Sequence, residues 1–233
     1  MIGLAHDKGK KADKEKYFAI NYHTFIDLIS YLNLNKILPQ KLIYVSTISV
    51  YGEKLKTDIY DEDMKPNPIS PYAVSKYMTE KYLHENYEGN FWILRLAPVY
   101  SDNFFLNINR RTKILNKFYR VGSGKHGLSL CNMKNILSSV EGIIQGKVKK
   151  GIYNVSDGVS YNYIDLLKIQ NAFFILPIPT FVVKIIYFFG KIIGNNFLIE
   201  NSIKLTSTNL YPSTKIGSFS VINYDLNDLS DVI

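Results

Sequence analysis

The first 100 residues alternate between short apolar runs and segments in which apolar side chains recur at helical spacing. Residues 41–46 and 91–96 are rich in β-branched and aromatic side chains, which predicts two strands. Helical spacing predicts a helix over 17–34, and a proline suited to a first helical turn predicts another over 71–88. Residues 1–5 are a short apolar run that predicts a further buried strand. This alternation indicates a parallel sheet with crossover helices.

Beyond Pro98 the pattern becomes mixed. Helical spacing predicts helices within 104–120, over 135–145 and from 161 to 169, and residues 151–155 predict a strand. The sequence therefore predicts a second, smaller region of mixed α+β structure after the strand–helix alternation.

The positive charge of the chain is spread along its length. Of 233 residues, 28 are Lys or Arg and 20 are Asp or Glu, which gives a formal net charge of +8. Four of these cations are arginines and the lysines are scattered, whereas nucleic-acid-binding surfaces cluster basic residues and favour arginine. We therefore expect a solvated lysine surface and no nucleic-acid partner. One cysteine, Cys131, and four histidines without metal-ligand spacing predict no disulfide, no metal site and a reducing cytoplasm.

Residues 172–199 form a strongly apolar segment. Prolines, Lys184, Lys191 and a pair of asparagines interrupt it, so no window of about 18 uncharged apolar residues remains. The pattern favours a buried or interfacial helix pair over a transmembrane span.

Three residues carry side chains suited to proton transfer. Thr47 follows the strand predicted over 41–46, and Tyr72 and Lys76 lie four residues apart on the next predicted helix, so the pair shares one helix face. A lysine ammonium favours the phenolate form of a nearby tyrosine, so we expect the pKa of Tyr72 to be lowered towards neutrality. The tyrosine can then take a proton from an alcohol or return one to a ketone, while Thr47 holds the reacting oxygen.

The Tyr-x-x-x-Lys spacing recurs along the chain, for example at Tyr72/Lys76, Tyr77/Lys81 and Tyr187/Lys191. By itself the spacing is typical of a surface lysine one turn from a packing tyrosine. The first pair differs in its context, because it follows a strand and a proline-rich approach, and small residues within it leave room for a cofactor. The first pair is therefore the predicted catalytic pair.

Two segments carry a family resemblance. The sequences VSTISVYG at 45–52 and SPYAVSK at 70–76 resemble the active-site signature of the extended short-chain dehydrogenases, which include UDP-glucose 4-epimerase and related NAD-dependent epimerases and dehydratases. Residues 1–6 resemble the fourth strand of that family's Rossmann sheet, and residues 151–158 resemble a late strand. The resemblance implies an α/β fold: a partial Rossmann-like parallel sheet, with the N-terminal strands missing, and a small mixed α+β substrate lobe.

The resemblance also implies roles for individual residues. Thr47 matches the family's catalytic hydroxyl residue, Tyr72 its acid/base and Lys76 the partner of that tyrosine. NAD, rather than NADP, is the implied cofactor. The residues implied in its binding are Leu4, Ala5, Asn21, Ser46, Tyr72, Lys76 and Pro98. The residues implied in substrate binding are Thr47, Arg110 and Lys125.

The glycine pattern of the chain departs from the family. The family binds the NAD diphosphate through a glycine-rich turn after its first strand, and no such turn precedes Met1 in this sequence. Residues 122–127 (GSGKHG) fit Gly-x-Gly-x-x-Gly but follow the catalytic segment and open no clear helix, which favours a flexible glycine loop. Lys125 and His126 stand near the family's phosphate-binding arginine. A lysine meets a phosphate as a point charge and lacks the bidentate fork of arginine.

These observations leave two main functions open. The first is an NAD-dependent epimerase or dehydrogenase of UDP-hexoses or UDP-N-acetylhexosamines, with Tyr72 as acid/base. Ile48 and Ser49 stand where dehydratases carry acidic residues, which favours an epimerase or a reductase. Residues 176–179 (LPIP) and 204–207 (KLTS) are similar to a subgroup that acts on UDP-N-acetylhexosamines in surface-polysaccharide synthesis. The second is a truncated, non-catalytic chain or pseudoenzyme that cannot bind NAD alone. A binding module that uses the basic surface ranks last.

The predicted organisation has two regions. Residues 1–100 form the C-terminal part of the NAD-binding Rossmann domain, and 101–233 mainly form the substrate-binding lobe, with 132–158 returning to the Rossmann sheet. The expected partner is a UDP-sugar and the expected setting is the cytoplasm. The resemblance implies a homodimer, since family members often pair through helices around the Tyr–Lys helix.

Overall fold

The computed structural model describes residues 14–52, 54–56, 58–219 and 221–229. The predicted strand over 1–5 and the predicted cofactor contacts Leu4 and Ala5 lie outside the described residues. The chain divides into two compact units. Unit 1 spans Met1–Gly52, Met64–Arg95 and Lys150–Tyr153, and unit 2 spans Glu53–Asp63, Leu96–Lys149 and Asn154–Ile233.

The regular elements of the described residues are numbered in chain order. The helices are α1 (Lys14–Phe18), α2 (Thr24–Leu34), α3 (Pro71–Asn86), α4 (Leu106–Thr112), α5 (Met133–Ile144), α6 (Tyr163–Ile169), α7 (Thr180–Ile192), α8 (Asn196–Thr206) and α9 (Thr214–Gly217). A π-helical turn, Ala19–His23, joins α1 to α2, and 3₁₀ turns cover Ile48–Tyr51 and Leu226–Asp228. The strands are β1 (Leu42–Thr47), β2 (Asp58–Ile59), β3 (Phe91–Leu96), β4 (Val99–Tyr100), β5 (Lys113–Ile114), β6 (Lys117–Val121), β7 (Gly127–Leu128), β8 (Cys131–Asn132), β9 (Gly151–Val155), β10 (Tyr161–Asn162), β11 (Ile175–Ile178) and β12 (Asn209–Leu210).

Unit 1 is built around a sheet with the strand order β1-β3-β9, in which the first residues of β9 belong to this unit. Helix α3 connects β1 to β3, and these two strands are neighbours, so the predicted crossover connection is confirmed. The core of the unit contains the buried side chains of Ile29, Tyr44, Leu83, Tyr87 and Ile93.

The start of α3 is fixed by local chemistry. Pro71 occupies the first turn, where the amide hydrogen that proline lacks would have no helical partner. The Ser70 hydroxyl oxygen caps the helix by accepting a hydrogen bond from the Ala73 amide at 3.4 Å. The cap and the proline place Tyr72 on the first turn of α3.

Unit 2 combines short strands with helices. Its sheets have the orders β10-β7-β12-β2, β11-β6-β5 and β4-β8. Strand β10 pairs with β7 in the antiparallel sense, whereas β12 pairs in parallel with both β7 and β2. This mixture of pairings agrees with the α+β character predicted for the second region.

A buried carboxylate, Asp157, organises part of unit 2. Its hydrogen-bond donors are the Tyr100 and Tyr161 hydroxyls at 2.8 Å, the Asn132 amide at 2.7 Å and Asn135 Nδ2 at 2.9 Å. Burial raises the pKa of Asp157, although these hydrogen bonds oppose the shift. Asn135 also hydrogen-bonds the backbone of residues 223–224, so the cluster anchors the last described segment of the chain.

The apolar segment 172–199 contributes β11, α7 and the start of α8, which confirms the predicted helix pair. Gly190 lets α7 and α8 approach closely, because a Cβ at this position would lie 2.9 Å from Leu198 Cβ. Val183 and Tyr187 are buried on the same side of α7, whereas the opposite side is exposed. Within the described part of the chain, no helix has the length and apolar character needed to cross a membrane.

Candidate active site

The structure brings Thr47, Tyr72 and Lys76 together in unit 1. Thr47 ends β1, and its side chain is hydrogen-bonded to Tyr72 on the first turn of α3. One turn further along α3, Lys76 Nζ donates a hydrogen bond to the Val45 carbonyl oxygen at 2.9 Å. The same ammonium lies 4.9 Å from the centroid of the Tyr44 ring. Contacts with β1 therefore hold both members of the Tyr–Lys pair.

The expectation of a lowered Tyr72 pKa is wrong for the chain by itself. Burial raises the pKa of Tyr72 to about 12; a hydrogen bond with Thr47 opposes this shift and the nearby Tyr17 adds to it. Burial also lowers the pKa of Lys76 to about 8, against the opposing effect of Glu80. Tyr72 is therefore a neutral phenol at neutral pH, which is the form that donates a proton.

A buried ion pair occupies the same unit, one helical turn after Lys76. Arg95 of β3 donates to Glu80 through Nε, at 3.2 Å to each carboxylate oxygen, and through its second terminal nitrogen at 2.7 Å. The Ser46 hydroxyl also donates to Glu80. The first terminal nitrogen of Arg95 donates to the Tyr51 hydroxyl at 3.0 Å. The two charged side chains are 3% and 4% exposed, so protein groups have replaced most of their hydration.

Glu80 and Arg95 were not among the predicted site residues, although both have a signal in the sequence. Arg95 is a charged residue inside the apolar run FWILRL, and a fully buried arginine requires a partner. Glu80 lies four residues after Lys76 and eight after Tyr72, so it continues the same helix stripe. The Glu80 carboxylate was therefore the natural candidate for the partner of Arg95.

Gly52 closes the segment that carries Thr47 and Tyr51. Its φ angle is +68°, in the left-handed region that favours glycine, and a Cβ would lie 1.8 Å from the Asn67 carbonyl oxygen. The Asn67 amide donates to the Val50 carbonyl oxygen at 2.9 Å. The ends of the loop between Gly52 and Asn67 are thus held close together in unit 1.

Asn21 lies in the π-helical turn Ala19–His23 and is buried. The Nδ2 of Asn21 donates to Ser75 Oγ at 3.4 Å, and the backbone carbonyl oxygen of Asn21 accepts from Thr79 Oγ1 at 3.0 Å. The Ser75 hydroxyl in turn donates to the Tyr72 carbonyl oxygen at 2.8 Å. Asn21 therefore contacts α3 one turn from Tyr72, at a helix irregularity of a kind that is frequent at functional sites.

Of the remaining predicted contacts, Ser46 lies on β1 next to Thr47, whereas Pro98, Arg110 and Lys125 lie in unit 2. The Ser46 hydroxyl is engaged by Glu80, and Pro98 follows β3 in unit 2. Arg110 is exposed on the last turn of α4, and Lys125 is exposed in the turn between β6 and β7. The structure thus places the two predicted substrate cations on different elements of unit 2.

The Gly-x-Gly-x-x-Gly run at 122–127 joins β6 to β7. Gly122 and Gly124 have φ angles of +54° and +71°, which suit a tight turn. The run leads into strand Gly127–Leu128, whereas a dinucleotide-binding turn leads into a helix whose N-terminus meets the phosphates. Its interpretation as a glycine loop, and not as the dinucleotide fingerprint, agrees with this geometry.

Comparison with known proteins identifies the class. The model of the NAD-dependent epimerase/dehydratase family matches residues 2–137, and the chain belongs to this family. No curated protein sequence matches the chain significantly.

Several solved structures share the fold. UDP-glucuronic acid 4-epimerase from Bacillus cereus, in complex with NAD, is 20% identical with a TM-score of 0.65, and the match covers 98% of this chain and 70% of that one. ADP-L-glycero-D-manno-heptose-6-epimerase from Helicobacter pylori is 16% identical with a TM-score of 0.68, covering 97% and 68%. UDP-N-acetylglucosamine 4-epimerase from Methanobrevibacter ruminantium, in complex with UDP-N-acetylmuramic acid, is 24% identical with a TM-score of 0.58, covering 76% and 61%. These likenesses confirm the predicted Rossmann-like α/β fold.

Proposed function

We propose that this protein is an NAD-dependent epimerase or dehydrogenase of a UDP-hexose or UDP-N-acetylhexosamine, acting in the cytoplasm in polysaccharide biosynthesis. The observation that supports this most strongly is the grouping of Thr47, Tyr72 and Lys76 at the end of β1. Family membership and the UDP-sugar and NAD complexes of the structural neighbours add support. The LPIP and KLTS segments support the UDP-N-acetylhexosamine branch of the proposal.

The donor set suits the nicotinamide ribose of NAD. Lys76 carries three N–H donors, one of which is directed at the Val45 carbonyl oxygen, so donors remain for a ribose diol. Tyr72 and Thr47 supply hydroxyls beside it. Asn21 would support this site indirectly, because its hydrogen bond to Ser75 holds α3 in place. When bound, NAD would accept a hydride from a sugar carbon and give it back.

The proton would be handled by Tyr72. In the reducing direction the phenol donates its proton to the oxygen of a keto sugar, and the raised pKa keeps that proton in place until it is needed. In the oxidising direction the phenolate takes the proton of a sugar hydroxyl, and the Lys76 charge would favour that form. Thr47 would hydrogen-bond the reacting oxygen and keep it in line with Tyr72.

Substrate binding would involve cations of unit 2. Lys125 would meet a phosphate oxygen as a point charge, and Arg110 is a second candidate for the diphosphate. Ile48 and Ser49, in place of acidic residues, favour epimerisation or reduction over dehydration. We also propose that the protein forms a homodimer, because the family resemblance implies one.

The binding of NAD by the full chain is the first test. We expect saturable binding with a Kd below about 1 mM in isothermal titration calorimetry. Lys76→Met is expected to weaken binding by about 10-fold or more, because it removes a charged hydrogen-bond donor. Lys81→Met, from one of the other Tyr–Lys pairs, is the matched control and should leave the Kd unchanged. If Lys76→Met binds NAD with the wild-type Kd, Lys76 is not part of the cofactor site.

The second candidate is a chain of this family that does not bind NAD by itself. The observation that favours it is the strand that follows Gly122–Gly127, since this run offers no helix N-terminus to the NAD diphosphate. In the same titration, this candidate predicts no heat of binding from a chain whose circular dichroism spectrum shows a folded protein. That result would reject autonomous catalysis.

The alkaline limit of activity should report the charge of Lys76. Its pKa is about 8, so the ammonium is present below that pH and is lost as the pH rises through it. Turnover that depends on this charge is therefore expected to fall near pH 8. In Lys76→Arg the side chain stays protonated at all these pH values, so the falling limb should move to higher pH even if kcat is reduced. If activity falls at the same pH in wild type and in Lys76→Arg, a group other than Lys76 sets the alkaline limit.

A further inference from the structure

We propose that helix α7 attaches this protein to the surface of an anionic lipid bilayer, with the helix lying along the surface. This inference goes beyond the proposed enzymatic function and rests on a different unit of the molecule. Its basis is an exposed apolar stripe, here named the α7 face, formed by Phe181, Ile185, Phe188 and Ile192.

The α7 face is continuous and unusually exposed. Its four side chains are 63%, 62%, 60% and 82% exposed, respectively. Their spacing of four, three and four residues places them on one side of the helix. Isolated exposed apolar side chains are ordinary on protein surfaces, whereas a contiguous stripe of large ones marks an interaction site.

The rest of α7 fixes the orientation of this stripe. Val183, Tyr187 and Gly190 are buried, and Gly190 packs closely against Leu198 of α8. These residues lie on the side opposite the α7 face. The helix is therefore held on the protein by one side and presents the other side outward.

The charges beside the α7 face select an anionic partner. Lys184 and Lys191 are seven residues apart and therefore lie along one edge of the stripe. Both are exposed, and Lys191 Nζ lies 5.2 Å from the centroid of the Tyr187 ring. The sequence contains no Asp or Glu between Asp165 and Glu200. An amphipathic helix with aromatic and aliphatic residues on one side and lysines beside them is typical of attachment to anionic membrane surfaces.

Two other occupants fit the α7 face less well. The helix has 13 residues and is about 20 Å long, which is shorter than the roughly 30 Å hydrocarbon core of a bilayer, so it cannot span one. A second copy of the chain would bring lysines to the rim of the contact with no acidic residue on α7 to pair with them. An anionic bilayer supplies both an apolar layer and negative charge.

Vesicle co-sedimentation of the full chain tests the proposal. The probes are phosphatidylcholine vesicles with and without about one-third phosphatidylglycerol, at about 0.15 M salt. We expect sedimentation with the anionic vesicles only. Lys184→Glu/Lys191→Glu should weaken partitioning by about 25-fold or more, since one basic residue near an anionic surface contributes about fivefold. Lys147→Glu/Lys150→Glu is the matched control, because it changes the net charge equally at exposed positions outside α7.

A second pair of variants tests the apolar contribution. Ile185→Ser/Ile192→Ser should abolish sedimentation, whereas Leu137→Ser/Ile144→Ser, a pair with the same seven-residue spacing and 62% exposure on α5, should leave it unchanged. Light scattering without lipid monitors the oligomeric state of each variant. Sedimentation unaffected by the α7 variants, or equal sedimentation with neutral vesicles, would overturn the proposal. A wild-type dimer that Ile185→Ser/Ile192→Ser converts to monomers would also overturn it, and would assign the α7 face to a second copy.

Discussion

Tyr72→Phe is expected to lower kcat by about 10²–10⁴-fold, a much larger effect than the one on NAD affinity. The magnitude is typical of the loss of a general acid/base, because phenylalanine keeps the ring but lacks the hydroxyl that donates and accepts the proton. The ring of Tyr72 lies 6.0 Å from that of Tyr17, and this contact survives the substitution. The measurement is NAD-dependent turnover of UDP-glucose and of UDP-N-acetylglucosamine, with a circular dichroism spectrum as the check on folding.

The matched control for this substitution is Tyr77→Phe. Tyr77 lies on the same helix and also has a lysine four residues later, Lys81. It should retain wild-type kcat. A Tyr72→Phe variant with more than about a tenth of wild-type kcat would remove Tyr72 from the acid/base role. Equal losses in both variants would indicate damage to α3 in general and would count against a specific role for Tyr72.

Arg95→Met is expected to destabilise the protein by about 3–5 kcal/mol. The substitution leaves the Glu80 carboxylate buried with the Ser46 hydroxyl but without its hydrogen-bonded guanidinium, and a buried charge that loses its partner is costly. The double variant Glu80→Gln/Arg95→Met removes both charges and should recover much of that loss. Urea unfolding followed by circular dichroism gives the free energy of unfolding for each variant.

A surface ion pair provides the control for this measurement. Lys56 Nζ lies 3.5 Å from Asp58, and the side chains are 68% and 23% exposed, so Lys56→Met should cost no more than about 1 kcal/mol. A similar loss for Lys56→Met and Arg95→Met would show that burial adds nothing to the Glu80–Arg95 pair. Glu80→Gln should also shift the alkaline limb of activity to lower pH, because Glu80 raises the pKa of Lys76.

The elements that position the catalytic residues could be predicted from the sequence because each has a strong local signal. Strand β3 coincides with the apolar run FWILRL, and α3 begins at the proline that predicted its first turn. Short elements such as β2 and β12 were missed, since two residues cannot show alternation and these two strands pair with each other from distant parts of the sequence. The helix predicted over 17–34 contains a π-helical turn that apolar spacing does not reveal.

The site was predicted less completely than the fold. Sequence spacing indicated which helix face carries Tyr72 and Lys76, but it gave no measure of their burial. Burial decides the pKa of Tyr72, and for that reason the predicted direction was wrong. The partners of Glu80 come from β1 and β3, so no local pattern could connect them. The clues in the sequence were the arginine inside the apolar run of β3 and the position of Glu80 on the helix face of Tyr72 and Lys76.

The contacts of β1 with α3 have a consequence for how this site can vary. Three consecutive strand residues contact three successive turns of the helix: Val45 with Lys76, Ser46 with Glu80, and Thr47 with Tyr72. The intervening segment is closed at its base by Gly52 and Asn67, so a change within it need not shift these contacts, but strand β2 and the buried Tyr60 limit how far it can vary. A single-residue insertion within 45–47 would instead mismatch all three contacts together. The proposed proton transfer thus depends on a single strand register, which leaves the residues of β1 little freedom to shift along the helix.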